Sequence, residues 1–215
     1  MSGIRSELVK FGKKIASSGL VAGAGGNISA RDGGMVWMKP SGFAMDEMKA
    51  ADLCALNLKN GRQVAGRNKP TSEFNMHLAI YRVRPEIKAV FHTHSAWASG
   101  VISSSAELKP MFAEFNSALG PVTTIPYVTP TTMELANVVR KAAVNHDTIF
   151  MVNHGVLALG QVMKQAFLRC LLVEHAAIAL VSASVVGKPR FLSARQQADM
   201  KKLDVPKRRL KILQA

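Results

Sequence analysis

Two histidines separated by one residue close the stretch Ala89-Val90-Phe91-His92-Thr93-His94-Ser95. Side chains alternate faces along a strand, so this spacing predicts that His92 and His94 point the same way from one strand end. Two convergent neutral imidazoles suit a divalent metal. A second apolar run of the same form, Ile149-Phe150-Met151-Val152-Asn153-His154-Gly155, ends in His154 and a glycine that turns the backbone. Three histidines around a metal leave room for a substrate. Glu73, in Lys69-Pro70-Thr71-Ser72-Glu73, is the candidate fourth ligand. His77, His146 and His175 are expected outside that shell, because His77 and His175 fall on helical patterns where packed or hydrogen-bonded histidines are the commoner case.

Three loops carry the chemistry of phosphate binding. Gly25-Gly26-Asn27 lets backbone N–H groups approach a ligand and offers an amide. Pro40-Ser41-Gly42 offers a hydroxyl and an unhindered backbone, and Thr71-Ser72 adds hydroxyls at a helix start, where anions are favoured. Each is also an ordinary turn composition. The neighbourhood of the third loop to Glu73 is what would put phosphate and metal within reach of one small molecule.

The elements that must hold these residues follow from periodicity. Ile4, Leu8, Phe11, Ile15 and Leu20 among lysines and serines predict an amphipathic first helix over 4–19. A glycine-rich turn then leads into a strand, Gly33-Gly34 turns it back, and Met35–Met38 returns. A further strand is expected at Leu53–Leu58, with Lys59-Asn60-Gly61 as its turn. Ser72 reads as the N-cap of a helix carrying Phe74, His77, Leu78 and Tyr81, closed by Pro85. Beyond strand 88–93, a short helix is expected at Ala96–Ile102 and mostly irregular chain over 103–120. An extended segment at Val122–Val128, a helix at Met133–Val144, strands at Thr148–Val152 and Val156–Leu159, and a long helix at Gln161–Val186 complete the pattern. The fold class is α/β, a three-layer α/β/α arrangement with a mainly antiparallel central sheet covered by helices.

The 215 residues suit a single catalytic domain over 1–187, followed by a basic tail over 188–215. No uninterrupted apolar stretch reaches membrane-spanning length, and the first residues lack the apolar core of a secretory signal. Cys54 and Cys170 lie in apolar contexts without paired spacing, which points to burial and a cytoplasmic location. The formal charge of +14 admits a nucleic acid, an anionic substrate or a solvated basic surface. Much of it sits in the tail, at Lys188, Arg190, Arg195, Lys201, Lys202, Lys207, Arg208, Arg209 and Lys211, with Phe191 as the one aromatic. Without interleaved aromatics, a nucleic-acid partner is the weakest of the three.

The series Gly-Gly-Asn-Ile-Ser (25–29), Lys-Pro-Ser-Gly (39–42), Lys-Pro-Thr-Ser-Glu (69–73), His-Thr-His-Ser (92–95) and Asn-His-Gly (153–155) resembles the class II aldolase/adducin family, and among its enzymes the L-fuculose-1-phosphate aldolases. Five motifs in the right order, spanning about residues 5–185, carry that resemblance; the tail lies beyond it. It implies Zn2+, with Mn2+ or Co2+ as alternatives, held by His92, His94, His154 and Glu73. Glu73 would also shuttle a proton at the substrate carbon. Asn27, Ser41, Gly42, Thr71 and Ser72 match positions that hold the substrate phosphate. Tyr127, in Ile125-Pro126-Tyr127-Val128-Thr129, matches a tyrosine that protonates the aldehyde from a neighbouring subunit; packing on a strand is its other reading. The implied activity is a lyase reaction, cleavage of a ketose 1-phosphate to dihydroxyacetone phosphate and an aldehyde, in a cyclic homotetramer with sites between subunits. An epimerase, a methylthioribulose-phosphate dehydratase, a sugar-acid phosphate decarboxylase and a non-catalytic adducin-like module stand as alternatives. Lys39 before Pro-Ser-Gly is like the related 4-epimerases, whereas a glutamate at position 73 is like the aldolases.

Overall fold

A computed structural model describes residues 3–203. Lys207, Arg208, Arg209 and Lys211 of the basic tail lie outside the described residues. The chain runs α1 (Ile4–Ser17), β1 (Asn27–Asp32), β2 (Met35–Met38), β3 (Cys54–Asn57), β4 (Gln63–Ala65), α2 (Phe74–Val83), β5 (Ala89–Thr93) and α3 (Ala96–Ile102). It continues with α4 (Ala113–Ala118), β6 (Val122–Ile125), α5 (Met133–Ala143), β7 (Thr148–Met151), β8 (Gly155–Gly160), α6 (Met163–Val186) and α7 (Ala194–Lys202). One eight-stranded sheet has the order β4-β3-β2-β1-β5-β8-β7-β6. Every neighbouring pair is antiparallel except β6 and β7. That parallel pair needs a crossover, which α5 supplies.

Alternation on the central strands separates two faces. Val90 of β5 joins the cluster formed by Met76, Ile80 and Tyr81 of α2 and Leu135 and Val139 of α5. Ala89 and Phe91 face the opposite layer, with Leu8, Phe11 and Ile15 of α1 and Phe167 and Cys170 of α6. Phe11 is the hub there, its ring centroid 5.9 Å from Phe91 and 5.6 Å from Phe167. Along α6 a third cluster gathers Ala98 and Val101 of α3, Phe115 and Leu119 around α4, and Val156 and Val173. The three-layer α/β/α architecture with a mainly antiparallel sheet is therefore the observed one.

Helix α6 has the length and apolarity of a membrane span, with half of its most apolar window buried. Its polar residues are engaged within the fold: Arg169 donates to the Leu159 carbonyl, and Glu174 accepts from Trp97 N and Ala98 N at the start of α3. Several sequence expectations need correction. Helix α4 interrupts the segment expected to be mostly irregular, β4 adds an edge strand, and α7 orders part of the tail through a Ser193/Gln196 capping box. Helix α7 packs against α4. Ser72 is not the cap of α2. The cap position is Glu73, whose N–H meets Thr71 Oγ1 at 3.4 Å, while Phe74 N donates to the Thr71 carbonyl at 3.2 Å. That turn starts the helix one residue later and leaves the Glu73 side chain free to leave the helix end.

Candidate metal centre

β5 lies between β1 and β8 in the sheet, and the register fixes what surrounds its end. His92 pairs with Asn27 of β1 on one side and Leu157 of β8 on the other. His94 follows one residue beyond the strand. His154 sits on the connection between β7 and β8, where Met151 pairs with Gly155 and Asn153 takes a left-handed φ of 54°. Asparagine tolerates that conformation better than most residues. Its backbone N–H is held by Ser103 Oγ at 2.8 Å.

The rings converge on their Nε2 atoms. His92 Nε2 is 2.9 Å from His94 Nε2 and 3.2 Å from His154 Nε2. Glu73 brings Oε1 to 3.2 Å from His154 Nε2 and Oε2 to 3.4 Å from His92 Nε2. A tetrahedral zinc site with bonds near 2.0–2.1 Å has ligand atoms about 3.3 Å apart, so the four side chains have the spacing of such a cage. His92 Nδ1–H donates to the Val156 carbonyl at 3.0 Å, which leaves the Nε2 lone pair facing the others. Glu73 Oε1 is buried without a hydrogen-bond partner, as a ligand atom directed at a cation would be. The donor set fits a divalent metal: His92, His94 and His154 form a group able to hold one.

Glycine makes the close approach possible. A Cβ on Gly155 would lie 2.3 Å from the Thr93 carbonyl oxygen and 3.1 Å from His94 Cδ2. One on Gly26, whose φ is +62°, would lie 2.6 Å from the His92 carbonyl oxygen. The glycines flanking the histidine motifs therefore serve space as much as turning.

Electrostatics prepare the same cage. Burial pushes His92 down to about 3, against the pull of Glu73, so its imidazole is neutral. Burial also lowers His94, helped by the charges of His154 and Lys39. For Glu73, burial raises the carboxyl, but the nearby His154 and His92 rings and the Asn27 amide outweigh it and hold it well below the usual carboxylate range. A neutral His92 beside an ionised Glu73 carboxylate has the protonation states a cation needs.

The remaining expected site residues fall in two places. An isolated bridge between Pro40 and Pro70, with Ser41 N donating to Lys69 O and Thr71 N to Lys39 O, lays the Ser41-Gly42 and Thr71-Ser72 loops side by side. Ser41, Gly42 and Ser72 are exposed, whereas Thr71 and Asn27 are buried beside Glu73. Asn27 Nδ2 donates to Glu73 Oε2 at 2.9 Å and retains a second N–H. Tyr127 lies in the loop after β6, 53% exposed. β6, which leads into it, stands three places from β5 but next to β7, whose connection to β8 carries His154. His77 is buried on α2, His146 bonds to the Ala142 carbonyl, and His175 packs on Phe112.

Sequence reasoning gave Lys39 no place in the site. Its Nζ is buried and donates to the Ala24 carbonyl at 2.9 Å, and burial lowers its pKa to about 8. It stands close enough to lower His94. An amphipathic reading treats a lysine before Pro-Ser-Gly as solvated, and no local signal announces its burial.

The profile described as "Class II Aldolase and Adducin N-terminal domain" matches residues 6–181. The chain belongs to this family. It is 36% identical over 201 residues to a 5-deoxy-D-ribulose 1-phosphate aldolase of Bacillus thuringiensis, covering 92% of this chain and 93% of that one. It is 30% identical over 168 residues to a 3-oxo-tetronate 4-phosphate decarboxylase of Pectobacterium atrosepticum, covering 75% and 76%. A solved structure of an L-fuculose 1-phosphate aldolase superposes with a TM-score of 0.84 at 32% identity, over 93% of this chain and 95% of the other. As a class II aldolase with aldolase relatives, the chain is a lyase.

Proposed function

We propose that the protein is a zinc-dependent sugar-phosphate aldolase that reversibly cleaves a ketose 1-phosphate to dihydroxyacetone phosphate and an aldehyde. The observation that carries this reading is the convergence of His92, His94, His154 and Glu73 on one small volume. The 36% identity to an aldolase acting on a 5-deoxypentulose 1-phosphate supports it. The three imidazoles and Glu73 would hold the metal, with Mn2+ or Co2+ as substitutes. When bound, it supplies Lewis-acid stabilisation of the charge that develops on the ketose oxygens.

The chain's own groups do the rest. Ser41, Gly42, Thr71, Ser72 and the second N–H of Asn27 bind the phosphate and fix the reacting carbons relative to Glu73. Glu73, kept ionised by its surroundings, takes and returns the proton at C3 of dihydroxyacetone phosphate. Tyr127 of a neighbouring copy donates to the aldehyde oxygen. The exposed Trp97, Tyr127 and Met133 are consistent with surfaces that copies of the chain cover in a homotetramer. The buried, unpaired Cys54 and Cys170 suit a cytoplasmic enzyme.

The test is exchange of the C3 proton of dihydroxyacetone phosphate with deuterated solvent, which needs only metal and base. The metal-loaded parent is expected to exchange it, and Glu73→Gln to lose exchange while remaining folded. A parent that binds dihydroxyacetone phosphate without exchange overturns the aldolase reading. Mass and NMR analysis of products from ketose 1- and 5-phosphates and sugar-acid phosphates separates the alternatives: a C4 stereoisomer, seen by NMR, for an epimerase, loss of water for a dehydratase, carbon dioxide for a decarboxylase.

A further inference from the structure

Between β1 and α2 runs a polar chain inside an otherwise apolar interface. Asn27 and Ser29 are two apart on β1 and face α2; Glu73, His77 and Tyr81 are four apart and share one side of α2. All five are buried. Asn27 Nδ2 donates to Glu73 Oε2 at 2.9 Å, and Asn27 Oδ1 bonds to His77 Nε2. His77 Nδ1 is 2.7 Å from Ser29 Oγ, and the Tyr81 hydroxyl lies 2.9 Å from Ser29 Oγ and 3.0 Å from the Ser29 carbonyl, its single proton shared between those two oxygens.

The chain has one consistent direction. A carboxylate only accepts, so the amide N–H of Asn27 must face Glu73 and its carbonyl must face His77. His77 must then carry its proton on Nε2, leaving Nδ1 to accept from Ser29 Oγ–H. The opposite tautomer would set the Nε2 lone pair against Asn27 Oδ1. An Asn27 flip to relieve that would set Oδ1 against the Glu73 carboxylate. Hydrogen bonds arranged head to tail polarise one another, here toward the anion.

We propose that His77, held by Ser29 and Tyr81, is a positioning residue that locks the Asn27 amide so that its N–H fixes the Oε2 edge of Glu73. This rests on the reading of Glu73 as the proton-transferring group. His77 never touches substrate in this scheme. It keeps Glu73 from turning to pair with another donor, and keeps the second N–H of Asn27 aimed at the same pocket.

Three measurements test it. In metal-free protein, the 15N shifts of His77 should show a protonated Nε2 and an unprotonated Nδ1; the reverse tautomer overturns the proposal. In the dihydroxyacetone phosphate exchange assay with metal-loaded protein, His77→Leu should lower kcat by about 10–100-fold, the usual cost of losing a partner behind a ligand, at nearly unchanged KM. His77→Gln places an amide N–H near the former Nε2 and should recover most of that loss. The double variant Asn27→Ala/His77→Leu should lose no more kcat than Asn27→Ala alone. Equal losses in His77→Leu and His77→Gln, or multiplied losses in the double variant, overturn it. Should His77→Leu fail to fold, the tautomer and the activity of His77→Gln still decide. Glu73→Gln in the same assay separates the two levels: retained exchange there removes the role of Glu73 itself, whereas its loss beside multiplied effects removes only the role of His77.

Discussion

At the scale of single residues, the site depends on histidines that stay uncharged. His77 is the clearest case outside the cage: complete burial lowers it from 6.5 to about 4, against the pull of Glu73. Between those values an unfolded chain takes up a proton that the folded chain refuses. Stability is therefore full above pH 6.5 and falls as pH drops toward 4, below which both states are protonated. The difference of about 2.5 units corresponds to about 3 kcal/mol. In urea titrations of metal-free protein, His77→Gln is expected to lose about 3 kcal/mol less than the parent between pH 7 and pH 4. An identical pH dependence in both would mean that His77 is charged or solvated in the fold. The cage residues were legible in the sequence because each histidine ends a contiguous apolar run. The Asn27–His77–Ser29–Tyr81 chain was not read there. Its signals, period 2 on β1 and period 4 on α2, become meaningful only when the two elements are known to face each other.

At the scale of elements, the site is held by ties among strands and helices that lie well apart in sequence. Asp147, just before β7, accepts from Arg84 at the end of α2 at 2.9 Å and from Arg169 of α6 at 2.8 Å. Arg169 is 4% exposed and also donates to the Leu159 and Ala118 carbonyls. Removing one partner of a buried pair leaves the other charge without compensation, at roughly 3–5 kcal/mol. Asp147→Ala is expected to lower the urea midpoint by that much with unchanged m, and more than Glu86→Ala, which removes only an exposed partner of Arg84. A smaller effect of Asp147→Ala than of Glu86→Ala would refute the tie. Elements with strong periodicity or clear breakers were legible to within a few residues, as α3, α5 and β2 show. The edge strand β4 was not, being three residues long and mostly exposed. Helix α4 was missed because Phe115 and Leu119 stabilise it by packing into the α6 cluster, a tertiary effect. The S-x-x-Q signature of α7 was present at Ser193 and Gln196, but no apolar run follows it to mark a helix.

At the scale of the whole molecule, Tyr127 lies in the loop after β6, 53% exposed. The β6 edge that leads into Tyr127 stands three strands from β5, and Thr131 in the same loop adopts a left-handed φ of 70°, unusual for a β-branched residue. If Tyr127 acts on the cage of another copy, the unit of function is an oligomer. Proton exchange at dihydroxyacetone phosphate needs Glu73 and the metal, whereas cleavage also needs a proton delivered to the aldehyde oxygen. Tyr127→Phe should therefore retain exchange but slow cleavage and condensation by roughly 10²–10⁴-fold, as expected for a lost general acid. Glu73→Gln should lose both. Chains carrying one or the other substitution, mixed and reassembled, form hybrids in which an intact Glu73 cage meets an intact Tyr127 from its neighbour. Such mixtures should regain part of the cleavage activity that neither variant shows alone. Hybrids that assemble, as shown by native mass spectrometry, yet stay inactive would confine Tyr127 to packing and require another proton donor for the aldehyde.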